Sequence, residues 1–161
     1  MEIDKLIRED LIFAKQVFLS KEKLFEFFSR VLEEKGFVES NFYAAIIERE
    51  EKFPTGLQLN GLNIAVPHTD IKYVKQSGIC VVTLKEPLYF RKMDSPENEI
   101  AVHIIFLLLI SEPTGYVQFL SKLTQAFSKR NFLNEIYHES NPKKILETLE
   151  NVLEEREMEK Q

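Results

Sequence analysis

The stretch from Ala101 to Ile110 is apolar at every position except His103, and it limits the fold more than any other. Its longest unbroken part, Ile104 to Ile110, is far too short to span a bilayer. It shows no alternation that would leave one face wet, so it reads as a β-strand covered on both faces. Such a strand needs a helical layer above and below its sheet. Ile79 to Leu84 (ICVVTL) is a second, β-branched strand. Glu86-Pro87 is expected to break it, leaving Leu88-Tyr89-Phe90 as a short strand of its own. Leu11 to Phe18 reads as extended, and Ile64–Val66 as a strand stopped by Pro67, which fixes its own φ and donates no hydrogen bond. Asp94 to Asn98 is a polar turn.

Helices fill the remainder. Ser20 is an N-cap candidate, followed by Leu24, Phe27, Phe28, Val31 and Leu32 at helical spacing and by a stop at Gly36. Ser40 is a second candidate cap, opening a short helix to about Glu50 with Phe42, Ala45 and Ile46 turned inward. After the loop Ser111 to Gly115, a helix of about four turns begins near Tyr116, with Val117, Leu120, Leu123 and Phe127 as its stripe. A short helix covers Phe132–Tyr137. A last one runs from Pro142, a good first-turn residue after Asn141, to about Glu155. The charged tail from Glu154 to Gln161 reads as a solvated end. The expectation is one α/β domain over residues 1–161, with a core from about 5 to 155. Its mixed central sheet has four or five strands and is flanked by helices on both faces.

Composition narrows the function. A net charge of −5 argues against a nucleic-acid surface, which wants a basic face. One cysteine excludes an intramolecular disulfide and a multi-cysteine metal cluster. The three histidines lie far apart and no H-x-x-x-H or H-E-x-x-H occurs, so no metal is expected. No G-x-S-x-G or glycine-rich nucleotide loop occurs either. Charge from Glu2 onward leaves no signal peptide, so a cytoplasmic protein without membrane insertion is expected.

The chemistry gathers around Gly61-Leu62-Asn63-Ile64-Ala65-Val66-Pro67-His68. A strand ended by proline delivers His68 at the strand mouth, where α/β sheets keep their ligands. Arg49, near a helix end, either complements the helix dipole or clamps phosphate oxygens with its planar fork. Thr55 and Thr69 offer hydroxyls. Asp70 either starts a turn or orients His68. His103 reads as a core or strand-edge residue, His138 as surface and Cys80 as a small core residue.

The segment G-x-x-I-A-V-P-H resembles the active-site signature of enzyme IIA proteins of the sugar phosphotransferase system, fructose/mannitol superfamily. Arg49-Glu50 followed by Pro54-Thr55-Gly56 is similar to that family's R-E…P-T-G segment. The spacing from Arg49 to His68, with the insert Gln58-Leu59-Asn60, most resembles the galactitol-type branch. The likeness runs from about Leu11 to Leu153. It implies a mixed sheet flanked by helices and a phosphocarrier that needs no cofactor. On that reading His68 accepts the phosphoryl group from phospho-HPr and Arg49 clamps it. A cysteine of an enzyme IIB on a separate chain, working with the membrane enzyme IIC, is the next acceptor. Thr55, Thr69 and Tyr116 are further candidates for contact with the phosphoryl group. Mannitol- and fructose-type members carry a second histidine, in a pattern like H-L-x-x-L, where this chain has Tyr116-Val117-Gln118-Phe119-Leu120. The Tyr116 hydroxyl then either bonds phosphate or leaves the ring to pack. The alternative function is a nitrogen-type regulatory module whose phosphorylation state controls partner proteins.

Overall fold

The computed structural model describes residues 3–129 and 131–159, with the side chains of 5–129 and 131–154. The elements are α1 (Ile3–Leu6), β1 (Ile12–Gln16), α2 (Lys21–Glu34), α3 (Phe42–Lys52), β2 (Gly56–Gln58) and β3 (Asn63–Ala65). They continue with β4 (Gly78–Arg91), β5 (Glu99–Leu109), α4 (Pro113–Phe127), α5 (Phe132–His138) and α6 (Pro142–Glu159). Five strands form one sheet in the order β1-β4-β5-β3-β2. β1 is parallel to β4 and β3 to β5, whereas β4–β5 and β2–β3 are antiparallel. The sheet is therefore mixed, and β4 and β5 are its long central hairpin.

Both faces of that hairpin are buried over residues 78–84 of β4 and 104–109 of β5. Cys80, Val82, Ile105, Leu107 and Leu109 pack under α2 and α3 with Leu24, Phe25, Phe28, Leu32, Phe42 and Ile46. The intervening Ile79, Val81, Ile104, Phe106 and Leu108 pack against α1, α4, α5 and α6. Alternate side chains of a strand point to opposite faces, so the unbroken apolar run is what two helical layers require. α2 starts where Ser20 accepts from the N–H of Lys23, an N-cap bond. It is followed by Gly36 at φ +82°, a left-handed position that suits glycine.

Several expectations need correcting. Glu86-Pro87 does not end a strand: β4 continues to Arg91, with a register shift between Thr83 and Leu88. The β1 partner stops at Gln16↔Leu84, so Pro87 leaves no β1 ladder bond unmade. On α2, Phe27 is exposed and Phe25 is buried in its place. On α4, Val117 is 65 % exposed and the buried residues are Tyr116, Phe119, Leu123 and Ala126. Leu24, Phe28 and Leu32 of the stripe inferred for α2 are buried, as is Leu123 of that for α4, with Leu120 and Phe127 packed partly against the core. α3 begins at Phe42, and its N-cap is Asn41 rather than Ser40, with no side-chain cap bond. β2, opening at Gly56, is a strand that no expectation above included. α6 runs on to Glu159; of the tail, Glu154 is exposed and the later side chains lie outside the described residues.

Gly56 is where β2 meets the β4–β5 hairpin. A Cβ placed there would lie 2.7 Å from the carbonyl oxygen of Arg91, and the Gly56 carbonyl accepts from the N–H of Met93 at 2.9 Å. The obstacle is backbone and has little room to yield. Gly56→Ala is therefore expected to destabilise the fold by about 1–3 kcal/mol, the range for overpacking, measured by urea denaturation. Unchanged stability would show that β2 is not clamped at this point.

Candidate functional site

β3 ends at Ala65, parallel to β5, and the chain continues extended through Val66 and Pro67. The Pro67 carbonyl accepts from the N–H of Leu108 at 2.9 Å. On its other side, the Val66 N–H donates to the Thr55 carbonyl at 3.3 Å. His68 thus leaves a segment held between the end of β5 and the residue before β2. The Ile71–Tyr73 turn of 3₁₀-helix follows, with Asp70 as its N-terminal flanking residue.

The ring of His68 is mostly buried, and its Nδ1 lies 2.9 Å from the Val66 carbonyl oxygen. A carbonyl can only accept, so Nδ1 carries the proton and donates. Nε2 keeps its lone pair. Burial pushes the imidazolium pKa below its ordinary value, and the nearby Arg49 charge acts in the same direction; the Val66 bond and Asp70 oppose them. At neutral pH the ring is therefore neutral, with its tautomer fixed.

Arg49 stands at the C-terminal end of α3, where its Nη1 donates to Asp70 Oδ1 at 3.4 Å. Its guanidinium also lies over the Phe53 ring, 5.4 Å from the centroid. The ion pair is long and solvent-exposed, the kind worth at most about 1 kcal/mol, so the guanidinium can be redirected cheaply. Arg49, Thr69, Asp70, Ile71, Lys72 and Ile110 line one open depression. Ile110 leads into the loop before α4, and that loop is tied down where the Ser111 N–H donates to Ser77 Oγ.

The remaining candidates are engaged elsewhere. The buried Thr69 donates its hydroxyl to the Asp70 carbonyl. Thr55, also buried, donates its hydroxyl to Glu50 Oε1. Tyr116 is 1 % exposed, and its hydroxyl donates to the Gly78 carbonyl at 2.8 Å. Its ring packs edge-on against Phe119, which favours the packing role over the phosphate-binding one. Asp70 serves the turn through its backbone and Arg49 through its carboxylate. His103, in β5, packs edge-on to Tyr137 of α5, far along the strand from Leu108. His138 is the exposed last residue of α5, and its Nδ1 bonds the Asn134 carbonyl. Cys80 is fully buried and its thiol pKa is pushed up. Among the described residues no group of His, Cys, Asp or Glu is placed to hold a metal ion. No helix among them is long and apolar enough to cross a membrane.

One residue near the site was given no role by the sequence. Glu50 is 4 % exposed, and its carboxyl accepts both the Thr55 N–H and the Thr55 hydroxyl at 2.8 Å. Burial raises its pKa to about 7, against the Thr55 bonds and the charges of Lys21 and Arg91. Between the unfolded value of 4.5 and about 7 the folded state holds a proton that the unfolded chain releases. The cost of burying Glu50 therefore grows as pH rises through that window. The signal for this burial is its spacing: Phe42, Ile46 and Glu50 recur every four residues on the inward face of α3.

Fold and site together define an α/β domain that presents a neutral, oriented histidine beside an arginine at the open ends of its strands. The sequence pattern of the phosphoenolpyruvate-dependent sugar phosphotransferase system EIIA 2 family matches residues 5–152, and the chain belongs to that family. It is 31 % identical over 142 residues to the transcriptional regulator ManR of Bacillus subtilis, covering 87 % of this chain but 20 % of the regulator. It is 31 % identical over 86 residues to the galactitol-specific EIIA component of Escherichia coli, covering 53 % of this chain and 57 % of that protein. Its fold matches enzyme IIA-mannitol of Escherichia coli, solved in complex with phosphorylated enzyme IIB-mannitol. That match has a TM-score of 0.72 at 23 % identity, covering 91 % of this chain and 98 % of that one.

Tyr116→Phe removes only the hydroxyl and leaves the Gly78 carbonyl without that donor. The expected result is a loss of about 1–3 kcal/mol in stability with phosphoryl transfer at the parental rate. Slower transfer at unchanged stability would return the hydroxyl to the site.

Proposed function

We propose that the chain is a cytoplasmic phosphocarrier. Nε2 of His68 takes a phosphoryl group from phospho-HPr and passes it to a cysteine of a separate enzyme IIB, during uptake of a sugar or sugar alcohol of the galactitol kind. The observation that carries this reading is the 2.9 Å bond from Nδ1 of His68 to the Val66 carbonyl. It leaves Nε2 as the nucleophile without any proton having to move first.

The step balances simply. The Nε2 lone pair attacks phosphorus as the donor's P–N bond breaks, and the donor imidazole keeps that electron pair. The His68 ring then bears positive charge with Nδ1–H still in place, and a bond to an ionised donor is stronger than one to a neutral donor. The Val66 carbonyl therefore stabilises the charged ring more than the neutral one, which is the condition for lowering a barrier. In the second half the cysteine thiolate attacks phosphorus. The ring leaves with its electron pair as neutral imidazole, back in its starting tautomer. Arg49, drawn from its loose pair with Asp70, supplies donors to the phosphoryl oxygens. Thr69 adds a donor only when its hydroxyl is released from the Asp70 carbonyl, while Thr55 and Tyr116 act through position and packing. No metal or organic cofactor takes part. Phe53 and Ile71, both exposed and close to Arg49, give the protein partners an apolar surface beside the charged site.

The likeness to ManR over most of this chain favours a second reading, in which the phosphorylation state of His68 controls a partner protein instead of feeding a transporter. Transfer onward to a galactitol-type IIB cysteine separates the two.

Incubation with phosphoenolpyruvate, enzyme I and HPr is expected to add one acid-labile phosphoryl group by mass spectrometry, and His68→Ala is expected to abolish it. Labelling that survives in His68→Ala, or that maps to His103 or His138, would contradict the assignment.

A further inference from the structure

The two side chains of the site come from different elements: Arg49 from α3 and His68 from the extension of β3. One continuous path of hydrogen bonds joins those elements. Glu50, the neighbour of Arg49, accepts the N–H and the hydroxyl of Thr55, each at 2.8 Å. The Thr55 carbonyl accepts the Val66 N–H at 3.3 Å, and the Val66 carbonyl accepts Nδ1–H of His68 at 2.9 Å. We propose that Glu50 is a positioning residue for phosphoryl transfer: through Thr55 and Val66 it holds the His68 ring in its Nδ1–H tautomer and fixes it relative to Arg49. The proposal rests on the reading of His68 as the phosphoryl acceptor.

Three features support it. Glu50 and Thr55 are both almost fully buried, and a buried carboxyl is retained at a cost in desolvation that its two Thr55 bonds only partly offset. A hydrophobic residue at the same place on the Phe42-Ile46-Glu50 stripe would pack without that cost. The Thr55–Val66 bond extends the β2–β3 ladder beyond its Gly56↔Ala65 pair, so it is the rung nearest the histidine. Loosening it frees the Val66 carbonyl on that side, leaving only the bond between Pro67 and Leu108 to hold the segment. Among the described residues the Val66 carbonyl is the hydrogen-bond partner of Nδ1, so a displaced carbonyl leaves the tautomer to ordinary imidazole equilibrium.

The test uses this chain labelled with ¹⁵N, without any phosphoryl donor. Two-bond ¹H–¹⁵N spectra report the tautomer of each histidine ring, and the signals missing in His68→Ala belong to His68. The parent is expected to show a pyrrole-type Nδ1 and a pyridine-type Nε2. Glu50→Leu is expected to move both nitrogens to intermediate shifts and to slow phosphoryl transfer by about ten-fold, the effect of roughly 1.4 kcal/mol on a barrier. Glu50→Gln keeps an acceptor for the Thr55 N–H and a donor for its hydroxyl, so the parental spectrum is expected. Leu149→Ala, a cavity in the opposite helical layer, controls for loss of stability and is expected to leave the His68 signals unchanged. If Glu50→Leu does not fold, Thr55→Val, which removes only the hydroxyl link, is expected to move the signals the same way by less. Parental ring signals in the leucine variant, or in Thr55→Val where it stands in, would overturn the proposal. So would a glutamine variant as disturbed as the leucine one. If the ring responds to Glu50→Leu while the parent accepts no phosphoryl group, the positioning path stands and the phosphocarrier reading fails.

Discussion

Burial on both faces of β4 and β5 is the constraint on which the rest of the structure depends. Their alternating side chains go to two separate cores, one under α2 and α3 and one under α1, α4, α5 and α6. A strand dry on both sides has no room for a reagent along its length, because any polar side chain there must be desolvated. His103 illustrates the limit: it lies in β5 with its Nδ1 unpartnered and its ring against Tyr137. Chemistry is pushed to the strand ends. There β3 gives way to Val66-Pro67-His68, β5 to the loop before α4, and β4 begins.

At that end, rigidity comes from backbone rather than from side-chain packing alone. Leu108 holds Pro67 from one side and Thr55 holds Val66 from the other. The ring of His68 then has one hydrogen-bonding nitrogen already committed. Arg49 is arranged in the opposite manner: a long, exposed ion pair with Asp70 and an exposed aromatic neighbour leave it free to reorient. A fixed nucleophile beside a movable cation suits a group that must arrive and leave without being trapped. A rigid cationic clamp would bind the phosphoryl group well and release it slowly.

Much of this was legible in the sequence, and the misreadings have particular causes. The run from Ala101 to Ile110 announced a doubly covered strand, and its part from Ile104 to Leu109 is buried on both faces. Ser20 and Gly36 marked their helix ends because capping and left-handed backbone are local properties. Pro87 misled because its local effect, a missing donor, costs nothing where the neighbouring strand has already ended; that end is a tertiary fact. Phe27 and Val117 misled because each helix offers competing apolar positions, and only packing decides which side turns inward. His68 was visible through the proline before it. Its proton's location was not, since that depends on where the Val66 carbonyl points. Glu50 was hidden by the habit of assigning carboxylates to solvent, although its spacing from Ile46 and Phe42 placed it on the buried stripe.

The central claim is that Nδ1 of His68 is occupied by the Val66 carbonyl, so that Nε2 alone is free to react. The most direct measurement is to phosphorylate ¹⁵N-labelled protein and identify the ring nitrogen that carries phosphorus by its one-bond ¹⁵N–³¹P coupling. The account requires phosphorus on Nε2, with Nδ1 still protonated. Phosphorus on Nδ1 would mean that the bond to Val66 breaks for reaction, and the account of the site would be wrong.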